Sequence, residues 1–416
     1  MKQVLASIVT IGDELLIGQV IDTNSAFIAQ HLNGIGVWTH RRIAVGDVWD
    51  EIWQALDQER AVSDIVLITG GLGPTADDIT KPLLCAYFKT PLEENQSAAD
   101  NIRNIFLGRD IPEKVWGQAQ VPRACTPIAN KRGTALGMWF EEKDTIFISM
   151  PGVPYEMQGM VSDFVIPELR RKFELPAILY RTLLTAGKGE SAISEIIQPF
   201  EEALPDHIKL AYLPDMAKIR LRLTTSGTDK EKSAKELDGQ FAQMKSLLAD
   251  ITVSDNGDSM EEALGKLLLE KNVTVGTAES CTAGNIARMI GTVPGASRYL
   301  LGGIVSYSNE VKHNVLGVRN ETLSRHGAVS EQTVREMVQG CLHTVGADVA
   351  VAVSGILGPG GGTPSQPVGT VWLAVGGRNA MVARCIHLRH NNRIRNTEAT
   401  TNTALNMLFN YVKNRF

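Results

Sequence analysis

The chain has 416 residues, of which 44% are hydrophobic, 21% charged and only 6% aromatic. That length exceeds what one ordinary core organises, and the composition is that of a globular α/β protein, so a fibrous or disordered chain is excluded. With 41 basic against 46 acidic residues, the formal charge of −5 supplies no global pull toward nucleic acid or an acidic membrane, and neither is expected as a partner.

Five cysteines, Cys85, Cys125, Cys281, Cys341 and Cys385, lie scattered without a C-x-x-C pair. They read as reduced thiols of a cytoplasmic protein rather than as disulfides or structural zinc. The first residues, MKQVLASIVTIGDELL, read as a buried strand interrupted by a polar turn, not as a signal peptide, and no apolar run is long enough to span a bilayer.

In residues 1–169, the apolar runs LASIVTI, DIVLITGG and TIFISMPG alternate with helical patterns over Asn24–Leu32 and from Asp78 onward. Such alternation predicts a parallel sheet wrapped by helices, with ligands beyond the carboxyl ends of its strands. The loops GDELLIG, GGLGPTADD and PGVPYEM all fall there. Gly70, Gly71 and Gly73 allow backbone N–H groups to approach a phosphate, and the helix that follows favours an anion at its start. Asp77 and Asp78 would repel a bare phosphate, a conflict that a bridging divalent cation (Mg²⁺ or similar) removes, with Asp13, Glu14 and Glu156 as further acidic ligands. Alternatively, the two aspartates only complement a helix dipole and the glycines only shape a turn.

Residues 170–253 change character. RTLLTAG, the helix SAISEIIQPF, LAYLP and the alternating strand KIRLRLTTSG precede a charged amphipathic helix, which predicts a small α+β domain. Residues 254–416 resume the α/β alternation: helix Met260–Lys271, strand NVTVGTA, helix NIARMIG, strand GGIVSY ending at Tyr307, then a helix capped by Ser308 with Val311, Val315 and Val318 on its apolar face. Helix EQTVREMVQGCLHTV, strand DVAVAVSGI, a glycine-rich loop, strand VGTVWLAV and a final helix complete it. The fold class is therefore α/β with three domains, two three-layer α/β domains with largely parallel sheets flanking the small α+β domain.

Ser280 sits at a strand-to-helix junction in TAESCTAGN. It, or Thr282, caps the helix, or else Ser280 is a nucleophile with an oxyanion site on the N–H groups after it. The second reading needs a base, and no histidine lies nearby in sequence. If the strands are neighbours, Tyr307 and Lys312 emerge beside Ser280, and a desolvated lysine then serves as base. Gly355, Gly358, Gly360 and Gly361 permit close backbone approach to a ligand, and Arg393 presents a fork suited to a phosphate.

Together these words resemble one family. IGDELLIGQVIDTNS, ITGGLGPTADDIT, NKRGTALG and PGVPYEM are similar to the N-terminal domain of the CinA (competence/damage-inducible protein A) family, itself similar to molybdopterin-binding domains. TAESCTAG, GGIVSYSNEVKHNVLGV, HGAVSE and QPVGTVW resemble its C-terminal, nicotinamide-nucleotide amidase domain. The resemblance implies a KH-like middle domain, although AGKGES lacks the G-x-x-G spacing that binds nucleic acid. It implies Ser280, Tyr307 and Lys312 as catalytic residues, with Thr282, Gly284 and Arg393 binding nicotinamide mononucleotide. It further implies ADP-ribose hydrolysis in the first domain, where Asn24 and Thr75 join the glycines in binding substrate, and a homodimer. Two alternatives carry no catalysis: a molybdopterin-binding protein, and an interaction protein linked to competence or recombination.

Overall fold

The computed structural model describes residues 3–75, 78–227 and 229–416. The chain folds as two compact units, Met1–Ile178 with Ser226–Lys230, and Leu179–Thr225 with Glu231–Phe416.

In the first unit the apolar runs become strands Leu5–Ile11, Ile65–Thr69 and Thr145–Met150. The sheet runs in the order Trp38–Val45, Leu5–Ile11, Ile65–Thr69, Thr145–Met150, Gly137–Glu142, Thr126–Ile128; the first four are parallel and the last two antiparallel. The central strands read as unbroken apolar runs because alternate side chains enter two different cores. Ile8, Leu67 and Ile148 pack with Ile28 and Leu32 of helix Thr23–Asn33. On the other face Val9, Val66 and Phe147 pack with residues of helices Trp49–Arg60 and Thr80–Tyr87. Right at the strand ends, Gly12, Gly70 and Gly152 open the three loops at one edge of the sheet. The helix expected from Asp78 begins at Thr80, which leaves Asp78 in the loop; Asp77 lies outside the described residues.

The middle sheet of the second unit runs Ile208–Asp215, Lys218–Gly227, Ala177–Ala186, Thr252–Ser254. Ile193, Ile197, Leu237 and Met244 of helices Glu190–Glu202 and Lys230–Leu247 complete its core. Leu184 and Ala186 belong instead to the core of the last segment, with Leu264, Val351 and Leu405. The middle and last segments therefore share apolar packing.

The last sheet runs Leu300–Val305, Val275–Glu279, Val349–Gly355, Thr370–Gly377, Met381–His387, with the first three strands parallel and the last two antiparallel. Helices Met260–Lys271, Asn285–Gly291 and Arg393–Arg415 share one core with it, and helix Glu331–Val345 packs in the other. Local signals set these helices: Ser259 and Glu262 form a capping box, and Asn272 ends the helix in the left-handed conformation.

Three expectations are corrected here. Strand Met381–His387 was not anticipated, because its burial is only partial and no clean apolar alternation marks it. The strand expected to end at Tyr307 stops at Val305. The helix after Ser308 spans only Asn309–Asn314, and its buried side is Lys312 followed by Leu316, while Val315 is 44% exposed. Behind it the packing is close: a Cβ on Gly340 would stand 1.9 Å from the carbonyl oxygen of Leu316, so helix Glu331–Val345 lies directly against that turn. Among the described residues, no helix is long and apolar enough to cross a membrane.

Candidate functional site

Strand Val275–Glu279 is buried throughout and delivers Ser280 to the carboxyl edge of the last sheet, where the Ser280 N–H donates to Val353 O at 3.0 Å. Neither Ser280 nor Thr282 caps the next helix, which begins at Asn285 behind Gly284 and has no side-chain cap. The residue that does this work is Glu279, which the sequence reading passed over. Its buried carboxylate accepts from Thr282 Oγ1 (2.7 Å) and from the backbone N–H groups of Gly284 (3.1 Å), Ile286 (3.0 Å) and Ala287 (2.8 Å). Thr282 and Gly284 both donate to Glu279, and the amides of Gly284, Ile286 and Ala287 are not open to an oxyanion.

Lys312 is desolvated, with only 1% of it exposed. Its Nζ lies 3.0 Å from Ser280 Oγ, 2.8 Å from Ser306 O and 3.2 Å from Tyr307 O. Burial lowers its pKa below the ordinary lysine value of 10.5. A neutral amine has two N–H bonds and one lone pair. As observed, Nζ donates to all three oxygens; once deprotonated, with its two N–H bonds kept on the carbonyls, its lone pair would face the Ser280 hydroxyl, as a general base requires. The neighbouring Cys281 thiol does not compete, because burial pushes its pKa up to about 12.

Tyr307 is 58% exposed, and its hydroxyl accepts from Arg393 Nη2 at 2.8 Å. The other guanidinium nitrogen, Nη1, donates to Gly358 O at 3.1 Å, so Arg393 ties the tyrosine to the glycine-rich loop. Ser280, Tyr307, Lys312, Gly355, Gly358, Gly360, Gly361 and Arg393 all line one cavity of about 250 Å³. Thr282 and Gly284 do not, and neither does any histidine.

A second cavity, of about 360 Å³, lies in the first unit and is lined by Gly70, Gly71 and Gly73 together with Glu14, Asp47, Asp78, Gln118 and Glu156. Gly70 adopts φ +121°, and a Cβ there would stand 2.2 Å from Ile11 O, which requires glycine. Of the loop amides expected to hold a phosphate, that of Gly73 is already used: Asp78 accepts from the N–H groups of Gly73 (2.7 Å) and Thr75 (2.9 Å), and from the Thr75 hydroxyl. Thr75 does not line the cavity. Asp13 also turns away, its carboxylate accepting from Asp47 N–H at 3.2 Å; Asp47 takes its place on the wall. Glu156 accepts from Asn130 Nδ2 at 2.6 Å, and burial raises its pKa. Asn24 lines an adjoining cavity of about 90 Å³ and donates to Thr69 Oγ1 and Gly152 O. Its Oδ1 and the Oε1 of Gln118 are buried acceptors without a partner among the described residues.

Among the described residues, no three His, Cys, Asp or Glu side chains converge into a metal-holding group. Asp78 and Glu156 are committed to protein donors, so the described carboxylates do not form a cation cage by themselves.

Comparison with known proteins follows the same division. Residues 7–171 match the family model for a probable molybdopterin binding domain, 180–252 that for the damage-inducible protein CinA KH domain, and 257–412 that for the CinA C-terminal domain. A CinA-like protein of Cytophaga hutchinsonii is 41% identical over 412 residues, covering 99% of this chain and 98% of its own. One from Flavobacterium psychrophilum is 42% identical over 374 residues, covering 89% and 90%. A solved structure of the protein CinA with unknown function from Thermoplasma acidophilum is 34% identical, covers 39% of this chain and 95% of its own, and superposes with a TM-score of 0.37.

Proposed function

This chain belongs to the CinA family, and from that premise we propose that it is a two-site hydrolase of pyridine nucleotides. The last segment deamidates nicotinamide mononucleotide to nicotinate mononucleotide and ammonia. The first unit hydrolyses the pyrophosphate of ADP-ribose with the help of a divalent cation.

One observation carries the first half: the Lys312 amine, buried and gripped by two carbonyls, faces the Ser280 hydroxyl at 3.0 Å. In the proposed reaction Lys312 takes the serine proton as Oγ attacks the carboxamide carbon. The C–N bond then breaks, the lysine ammonium returns the proton to the departing amine, and ammonia leaves an acyl-serine. Water, deprotonated by the same amine, releases the carboxylate. Arg393 and the glycine-rich loop are suited to hold the nucleotide phosphate, and the Tyr307 hydroxyl, beside the same cavity, orients the guanidinium.

The second half rests on the carboxylate-lined cavity and on the family resemblance of its loops. A divalent cation there would be held by the wall carboxylates Glu14, Asp47 and Asp78 and would supply charge neutralisation for a diphosphate. A second reading of this cavity, pterin binding without hydrolysis, is favoured by the domain match over residues 7–171 and by the Gln118 Oε1 on its wall, an acceptor without a partner among the described residues that suits a donor-rich heterocycle.

The test is to incubate the purified chain separately with nicotinamide mononucleotide and with ADP-ribose plus Mg²⁺, and to identify the products. Ser280→Ala is expected to lower ammonia release by at least ~10³-fold while leaving ADP-ribose cleavage unchanged. Ammonia release surviving in that variant would sink the serine mechanism. Pterin affinity without phosphate-ester products would favour the second reading of the first unit.

A further inference from the structure

We propose that Glu279 is a positioning residue that sets both the nucleophile and its base, a role that rests on the serine–lysine reading above. It is 0% exposed and makes no ion pair among the described residues. Its carboxylate nonetheless meets a complete set of donors. Oε2 accepts from Thr282 Oγ1, Gly284 N and Ile286 N, and Oε1 from Ala287 N (2.8 Å) and Thr277 Oγ1 (3.3 Å). Three of these five are backbone amides, which can only donate.

Those contacts wrap the segment 282–287 around the side chain immediately preceding Ser280. The turn that holds the serine is thus bound to one rigid, buried point. The main chain of the same residue reaches the base. Ser306 N–H donates to Glu279 O at 2.7 Å, and the Ser306 carbonyl in turn accepts from Lys312 Nζ at 2.8 Å. One residue therefore fixes the serine from one side and the platform of the lysine from the other, although it does not line the cavity.

A buried acid that only filled space would tolerate its neutral isostere. A positioning carboxylate does not, because the amide of glutamine places an NH₂ against N–H donors and must break at least one contact. Displacement of reacting groups by about 1 Å costs roughly 100-fold in rate.

The experiment compares wild type, Ser280→Ala, Glu279→Gln and Glu279→Asp, with folding followed by circular dichroism. Glu279→Gln is expected to fold, to lose about 100-fold in kcat for ammonia release and to keep KM within about threefold. Glu279→Asp, which retains both acceptor oxygens, is expected to recover part of that loss. In isotope-labelled lysine NMR, the Lys312 resonance of Glu279→Gln is expected to titrate closer to the ordinary lysine value, because a displaced Ser306 platform lets water reach the amine. Wild-type kcat in folded Glu279→Gln, or an unmoved Lys312 titration, would overturn the positioning role and leave the serine mechanism standing. Failure of both variants to fold would overturn it as well, in favour of a purely structural acid. An active Ser280→Ala would instead remove the reading on which it rests.

Discussion

At the level of single residues, Lys312 shows how far burial reshapes chemistry. Because its pKa in the fold lies below the ordinary 10.5, the unfolded chain binds more protons than the folded one between those two values, and Lys312 makes stability rise with pH across that window. The penalty is fully present below the folded value and gone above 10.5. Replacing it by methionine leaves two carbonyls without a donor, a cost that does not titrate. The stability of Lys312→Met relative to wild type is therefore expected to be best below the folded pKa of Lys312 and to decline as pH rises toward 10.5, read by thermal unfolding at a series of pH values. A flat difference would contradict a lysine whose pKa is lowered by burial. Ser280, Tyr307 and Lys312 were legible as chemistry because their side chains carry it. Glu279, Asp78 and Asp47 were not legible in those roles, since their partners are backbone amides, and an amide looks the same in every sequence.

Among the elements, central strands were readable from unbroken apolar runs, whereas the partly exposed edge strand Met381–His387 left no such mark. The short helix Asn309–Asn314 was misread for a related reason: its buried side is a lysine, and periodicity sees only apolar residues. The turn between strand Val275–Glu279 and helix Asn285–Gly291 contains Ala283 at φ +52°. A left-handed L-residue costs roughly 1–2 kcal/mol, and glycine returns about 0.4–1 kcal/mol of that through its freer unfolded state. Ala283→Gly is therefore expected to stabilise the protein by no more than about 1.6 kcal/mol, measured by denaturant unfolding. A clear loss of stability would mean that the alanine methyl makes contacts that outweigh the strain.

Over the whole molecule, the two cavities are lined by residues of different units. Chelation by EDTA is thus expected to abolish ADP-ribose cleavage and to spare ammonia release. Asp78→Ala, which frees the loop amides of Gly73 and Thr75, is expected to lower the former by about 100-fold and to leave the latter unchanged. Ammonia release lost on chelation would contradict an amidase that needs no metal. The three segments were visible in sequence through their alternation of runs, but the sharing of one core by two of them was not, because Leu184 and Ala186 look like any other residues of a small sheet. That sharing bears on where the gene can be cut. A fragment starting at codon 254 would lack the two side chains that fill the floor of its own interior, leaving a sticky bare patch, whereas one starting at codon 179 would bring its own plug.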